Sequence, residues 1–146
     1  MITQIRGAVL AIGGALLASA LCVGIAVGFL RWRADAQREL FIQRKERCGA
    51  GDLATCDLLR SACLKRIGEG CLALAEAYLA PGPRHDGPEG TRLLSEACDH
   101  HVVEGCRRAA ALYEAGREVS LDRERAAALL KRACALGDAP ACAKGP

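Results

Sequence analysis

The cysteines that follow residue 47 constrain the fold more than any other feature of this 146-residue chain. Taken in order, they form four pairs, and seven residues separate the two members of every pair. Two cysteines eight positions apart on one helix would lie about 12 Å apart, whereas a disulfide needs Cα atoms roughly 4.4–6.8 Å apart. Each pair therefore predicts a turn between two helices, closed by a disulfide. The members are Cys48, Cys56, Cys63, Cys71, Cys98, Cys106, Cys134 and Cys142.

The alternative is that these cysteines are reduced, small, buried residues of a cytosolic protein. The regular spacing and the even count favour disulfides, which persist in oxidising compartments. Cys56 and Cys63 fall within one predicted helix, about 10 Å apart, and are not expected to bond to each other. Because the sequence contains no C-x2-C motif, we expect no zinc site, and we predict no other metal site or cofactor.

Glycines lie between the members of every pair, and glycine is favoured where helices end and in tight turns. They are Gly49 and Gly51 in the first pair, Gly68 and Gly70 in the second, and Gly137 in the fourth. The third pair has Gly105 alone, preceded by the segment 99–103, so we expect its turn to be less regular.

A repeat of 35 to 36 residues runs through the cysteine-rich region. Cys71 and Cys106 are 35 positions apart, and a tyrosine follows each of them seven positions later. Such a period is typical of stacked helical hairpins. We predict that the first helix of each repeat covers 71–80 in one copy and 106–115 in the next. The second helix is predicted to begin near Pro88 in the first copy and near residue 122 in the next, with Asp122 as its N-cap. A shortened unit with one helix over 53–66 precedes them.

The composition indicates an all-α fold and argues against a nucleic-acid partner. Aromatic residues make up only 3% of the chain, so the core is expected to be built from Leu, Ala and Cys, and Ala and Leu favour helices. Residues 48–146 hold thirteen Lys or Arg against fourteen acids. A nearly neutral region of this kind lacks the excess of basic residues that binds phosphate backbones.

Residues 7–30 contain no charged side chain, and we predict that they form a transmembrane helix. Arg6 ends the segment on one side, and Arg31, Trp32 and Arg33 end it on the other, as expected of an interfacial anchor. Alternatives are a cleaved signal peptide with a site at 18–20 and a lipoprotein modified at Cys22. The predicted organisation is therefore a tail over 1–6, the span over 7–30, a charged juxtamembrane helix over 31–47 and the repeat region over 48–142.

Three features of the chain resemble Sel1-like repeats. They are the pattern Cys-x2-Leu-Ala-x2-Tyr at 71–78, the paired leucines of the second helices and the C-x7-C spacing. More narrowly, the region 48–142 is similar to the cysteine-rich Sel1 proteins first described from Helicobacter. The resemblance implies a short α/α solenoid of helical hairpins, related to tetratricopeptide repeats, with one disulfide per repeat. The chain departs from the pattern in its shortened first unit and in the loop 81–85, and it holds about two and a half repeats.

The function that we predict is a membrane-anchored protein-interaction adaptor or scaffold. Stacked helical hairpins form a concave face lined by their first helices, where a protein or peptide can bind. The alternative implied by the resemblance is weak β-lactamase or penicillin-binding activity, since some cysteine-rich members carry those names. None of the serines is followed by Lys three positions later, and we assign no catalytic residue. The candidate binding residues are Tyr78, Tyr113, Glu76, Arg107 and Glu114. For the two tyrosines, the alternative that we favour is an aromatic residue of the repeat that packs between hairpins.

Two rules disagree on which side of the membrane the repeats lie. Disulfides favour the bacterial periplasm. The excess of Lys and Arg over 31–47 favours the cytoplasm, because positive residues are usually retained there. Since four regular pairs are hard to explain otherwise, we expect a single-pass inner-membrane protein with its repeats in the periplasm.

Overall fold

The computed structural model describes the backbone of residues 2–144 and the side chains of residues 23–144. Within these residues every regular element is an α-helix, which confirms the predicted all-α class. The chain divides into two compact units, Met1–Arg38 and Glu39–Pro146. The helices are α1 (Ile2–Gly49), α2 (Leu53–Leu64), α3 (Gly68–Leu79), α4 (Gly87–Asp99), α5 (Val103–Ala115), α6 (Arg123–Ala135) and α7 (Ala139–Ala143).

The first unit consists of α1 up to Arg38. Helix α1 is continuous from Ile2 to Gly49 and runs through the predicted boundaries at residues 6–7 and 30–31. Among the described residues, no helix is long and apolar enough to cross a membrane. Positions 7–22 of the predicted span, including the signal-peptide motif and Cys22, lie outside the described side chains, so the span stays a prediction.

The second unit contains the two predicted helical hairpins, α3 with α4 and α5 with α6. The second helix of each hairpin begins after an aspartate. The Oδ1 atom of Asp86 accepts a hydrogen bond from the amide of Glu89 at 3.1 Å, and that of Asp122 accepts one from the amide of Arg125 at 2.8 Å. Each side chain thereby satisfies an amide that the first helical turn leaves unpaired. The predicted start of these helices is confirmed.

The first helix of each hairpin begins three residues earlier than predicted. The sequence placed the start at the second cysteine of a pair, but α3 starts at Gly68 and α5 at Val103. Ile67 and Val102 are the N-caps and follow the preceding turn directly. In both helices, the second cysteine of the pair therefore lies within the N-terminal part of the helix rather than at the first helical residue.

Small residues allow the helices of the second unit to approach closely. A Cβ atom at Gly70 would lie 2.6 Å from the Cβ of Ala62, and one at Gly105 would lie 2.7 Å from the carbonyl oxygen of Leu94. These two glycines occupy the same position in successive repeats, next to a disulfide. They serve the close packing of helices, not the turns in which the sequence placed Gly70. The largest fully buried side chains are Leu59, Leu74 and Leu94.

The four turns between paired cysteines share one backbone conformation. The residue three positions after the first cysteine has a positive φ in every case: Gly51 (105°), Arg66 (62°), His101 (65°) and Gly137 (95°). The next residue donates its amide to a carbonyl five positions earlier, as Val102 does to Ala97 at 3.0 Å. This is the Schellman pattern that ends many helices. The prediction of a less regular third turn was wrong, because His101 adopts the glycine-like conformation.

Replacing His101 or Arg66 by glycine is expected to stabilise the fold by roughly 0.5–1 kcal/mol, because a side chain is strained in the left-handed region and glycine is not. Thermal melts of His101→Gly and Arg66→Gly should show raised midpoints. His101→Ala keeps the Cβ atom and should show no gain. A loss of stability in both glycine variants would show that the side chains make compensating contacts.

Candidate interaction face

Four disulfides hold the turns of the repeat region, and they follow the predicted order. The bridges join Cys48 to Cys56, Cys63 to Cys71, Cys98 to Cys106 and Cys134 to Cys142, with Cα atoms 4.8, 4.5, 4.6 and 4.7 Å apart respectively. The predicted disulfide bonds are therefore confirmed. Glu96 lies close to the sulfurs of Cys63 and Cys71, but these sulfurs are bonded to each other and offer no thiolate to a metal ion.

The C-terminal part of α1 and the helices α3, α5 and α7 line two shallow grooves, which we call together the A-helix face. One groove, of about 600 Å³, lies between Lys45, Glu76 and Arg108, with Pro81 and Pro83 at its edge. The other, of about 290 Å³, lies between α5 and α7. Because Arg108 borders both, the grooves are neighbours. The polar residues of the A-helix face are Lys45, Glu46, Glu76, Arg107, Arg108, Glu114, Asp138 and Lys144.

Glu76 connects three helices at the centre of the A-helix face. Its Oε2 accepts a hydrogen bond from the Nζ of Lys45 at 2.7 Å, and its Oε1 accepts one from Arg108. The Glu76 side chain is only 21% exposed, so both contacts are partly shielded from solvent. Two cations share one carboxylate here, and the exposed Glu46 also lines this groove.

Charge over the A-helix face as a whole is balanced, because its four cations face four acids. Arg107 lies 3.9 Å from Asp138, which is one of these acids, and 3.8 Å from Glu104, which lines neither groove. At these distances Arg107 makes ion pairs but no hydrogen bond. Since neither sign dominates, the surface suits a partner segment with charges of both signs better than a polyanion.

Three of the five predicted binding residues lie on this face, and the two tyrosines do not. Tyr78 is 6% exposed, and its hydroxyl accepts a hydrogen bond from Arg60 at 2.8 Å. Tyr113 is 8% exposed, and the guanidinium of Arg125 lies 5.0 Å from its ring centroid. Both rings pack between helices, so little of either is available to a partner. Glu76, Arg107 and Glu114 line the grooves.

Sequence reasoning missed Lys45 and Arg108. Lys45 precedes the repeats, in the segment treated as a charged juxtamembrane helix, so no periodicity marks it. Arg108 lies two positions after Cys106, where the preceding repeat has Ala73. No signal in the sequence indicates that both side chains reach one glutamate from neighbouring helices.

Among the described residues, four helices begin directly after a disulfide turn. Asp52 is the only one of their N-cap residues whose side chain makes a capping hydrogen bond. The hydroxyl of Thr55 donates to the Asp52 carboxylate at 2.7 Å and the Thr55 amide at 3.2 Å, and Arg47 lies 2.9 Å away. These contacts hold the pKa of Asp52 below its usual value, with the Thr55 hydroxyl as the largest cause. Asp52 therefore acts as a helix cap and not as an acid or base.

Neutralising Glu76 is expected to destabilise the second unit by about 1 kcal/mol at low salt, because Lys45 and Arg108 lose their shared carboxylate. Urea unfolding of Glu76→Gln measures the loss, which should shrink in high salt as the charges are screened. Glu114→Gln, on the same face but exposed, should change stability little. Equal effects of the two substitutions would contradict a structural role for Glu76.

Comparison with known proteins points to one kind of relative. No family model matches the chain, and no curated protein matches it. Among solved structures it is similar to Helicobacter pylori cysteine-rich protein B, with a TM-score of 0.56 and 25% sequence identity over 64% of this chain and 71% of that chain. The predicted resemblance to cysteine-rich Sel1-like repeat proteins is thereby confirmed.

Proposed function

We propose that this chain is a membrane-anchored adaptor that binds a segment of a partner protein on the A-helix face. The observation that carries the proposal is the open row of grooves along α1, α3, α5 and α7, on helices that four disulfides hold in place. A rigid surface loses little entropy when a ligand binds, so even shallow grooves can contribute affinity. The Sel1-like fold supports this use, because stacked helical hairpins commonly bind proteins.

The chemistry of the face suggests what the partner presents. The balanced charges fit a mixed-charge segment, and the shared carboxylate of Glu76 leaves Lys45 and Arg108 able to accept one further acid. The groove floor between them is apolar, formed by Ala77, Leu79 and Ala80. We therefore propose a partner segment with a small apolar residue flanked by an acidic one.

The disulfides and the apolar N-terminal segment support an envelope location. Disulfides in such number form and persist outside the cytoplasm. Between Val23 and Trp32, six large apolar side chains are 42–66% exposed, although water disfavours such exposure. Lipid would cover these side chains, which supports residues 7–30 as the anchor and the periplasm as the site of the repeats.

Site-specific photo-crosslinking in cells tests the A-helix face. A benzophenone side chain placed at Ala111, which is exposed and lines the smaller groove, should yield a discrete adduct with a partner protein. The matched control is Ala128, an exposed alanine of α6 that lines neither groove, and it should yield none. Adducts from Ala128 but not from Ala111 would place the binding surface on the other side of the array.

Charge reversal in the same cells tests whether the charged residues of the smaller groove contribute to binding. Arg107→Glu changes an exposed groove residue and should weaken the Ala111 adduct at least tenfold. Arg123→Glu reverses an exposed cation of α6 outside the grooves and should leave the adduct unchanged. An adduct that survives both substitutions would show that charges near Arg107 do not contribute to binding.

A further inference from the structure

One of the four disulfides differs from the others in its exposure to solvent. The six cysteines of the first three bridges are between 0% and 3% exposed. In the fourth bridge, Cys142 is exposed and Cys134 is only partly buried. Thiol–disulfide exchange requires a thiolate to reach a sulfur atom directly, so access decides which bridge reacts. Burial protects three bridges from this reaction and leaves the fourth open.

We propose that the Cys134–Cys142 disulfide is a site of thiol–disulfide exchange with a dithiol reductant, which cannot reach the other three bridges. One thiolate of the reductant attacks the sulfur of Cys142, the more exposed residue of the pair, and forms a mixed disulfide with it, while Cys134 leaves as a thiolate and takes up a proton. The second thiol of the reductant then displaces Cys142. The products are two cysteine thiols and a reductant oxidised to its own disulfide.

The bridge also holds the shortest helix of the described chain. Helix α7 has five residues, and an isolated helix of this length does not form in water. Its N-cap, Asp138, makes no side-chain capping bond, unlike Asp52 at the first turn. The Oδ2 atom of Asp138 is buried without a hydrogen-bond partner, since the Nε of Arg107 is 3.9 Å away. Apart from the turn, the ion pair of Asp138 with Arg107 and the burial of Ala141, the disulfide is what keeps α7 in place.

Opening this bridge would alter one end of the A-helix face and leave the other intact. Helix α7 provides one wall of the smaller groove through Pro140 and Ala141, opposite Arg107 and Glu114 on α5. The groove around Glu76 contains no residue of α7. Reduction therefore removes one of two binding regions. This consequence rests on the proposed function, whereas the exchange reaction itself does not.

A reductant titration of the full-length chain tests the exchange site. The chain is exposed to increasing dithiothreitol, quenched with N-ethylmaleimide, and each cysteine is mapped by mass spectrometry. We expect Cys134 and Cys142 to become alkylated at a concentration at least tenfold lower than Cys98 and Cys106. Reduction of all four bridges over one concentration range, or of another bridge first, would overturn the proposal.

A second measurement on the selectively reduced chain tests the response of α7. Amide hydrogen exchange over 138–143 should accelerate at least tenfold once Cys134 and Cys142 are alkylated, while exchange in α3 stays unchanged. The variant with Cys134→Ala and Cys142→Ala should show the same fast exchange without any reductant. Unchanged protection of α7 in that variant would show that the bridge does not hold the helix. Neither result depends on the partner, so a failure here is distinct from a failure of the proposed binding function.

Discussion

Complete reduction of the disulfides is expected to unfold the repeat region over residues 48–142. Each bridge closes a loop of about eight residues, and the chain-entropy estimate for such a loop is roughly 2.5 kcal/mol. Four bridges together would contribute roughly 10 kcal/mol, which matches the total stability of many domains, about 5–15 kcal/mol. Few large side chains are available to compensate, because the core consists mainly of alanine, cysteine and a few leucines.

Urea unfolding followed by circular dichroism, with and without a phosphine reductant, measures this effect. Replacing one buried pair, with Cys98→Ala and Cys106→Ala together, should lower the free energy of unfolding by roughly 2–3 kcal/mol. Cys22→Ala serves as the control, because it leaves all four bridges in place. A fully reduced chain that unfolds at the same urea concentration as the oxidised one would refute the stabilising role of the disulfides.

Leu94→Ala is expected to destabilise the second unit by roughly 2–5 kcal/mol, the range seen when a fully buried leucine is truncated. Leu94 is 0% exposed and belongs to the main core cluster, together with Leu59 and Leu74. Its carbonyl oxygen faces Gly105, where α5 approaches most closely, so the helices cannot easily move to fill a cavity. Urea unfolding of the oxidised chain measures the loss.

Leu58→Ala is the matched control for this substitution. Leu58 is a leucine of α2 next to the buried Leu59, but it is 52% exposed, so its truncation should cost less than about 1 kcal/mol. Similar losses in Leu58→Ala and Leu94→Ala would show that Leu58 is covered by an interaction that the chain alone does not provide.

The spacing of the cysteines predicts most of the fold, because two cysteines eight positions apart on one straight helix are too far apart to form a disulfide. Chain reversals, helical hairpins and pairing all follow from that conflict. The conformation of the turns could not be predicted in the same way. The equivalent residue of all four turns adopts the left-handed conformation. It is a glycine in two of the turns, Gly51 and Gly137, but Arg66 and His101 in the other two. There the disulfide and the turn hydrogen bonds override the local preference of the residue.

The candidate site was less predictable than the fold. Tyr78 and Tyr113 occupy the same position in successive repeats, which indicates that the repeats share a contact. The recurrence does not show whether that contact is internal or faces solvent. The partners Arg60 and Arg125 come from other helices and show that the contact is internal. The Glu76 network does not recur along the repeats, so no periodicity could reveal it.

The local character of the bridges has a consequence for how the protein is made. Each of the eight cysteines after residue 47 bonds to the other member of its pair, eight positions away in the chain. In an oxidising compartment, each bond can therefore close as soon as one short stretch of the chain has entered, without waiting for distant sequence. Duplicating or deleting a whole repeat would leave all other bonds unchanged. Such a chain can gain or lose length over evolution without the mispairing that threatens proteins whose cysteines bond across distant parts of the sequence.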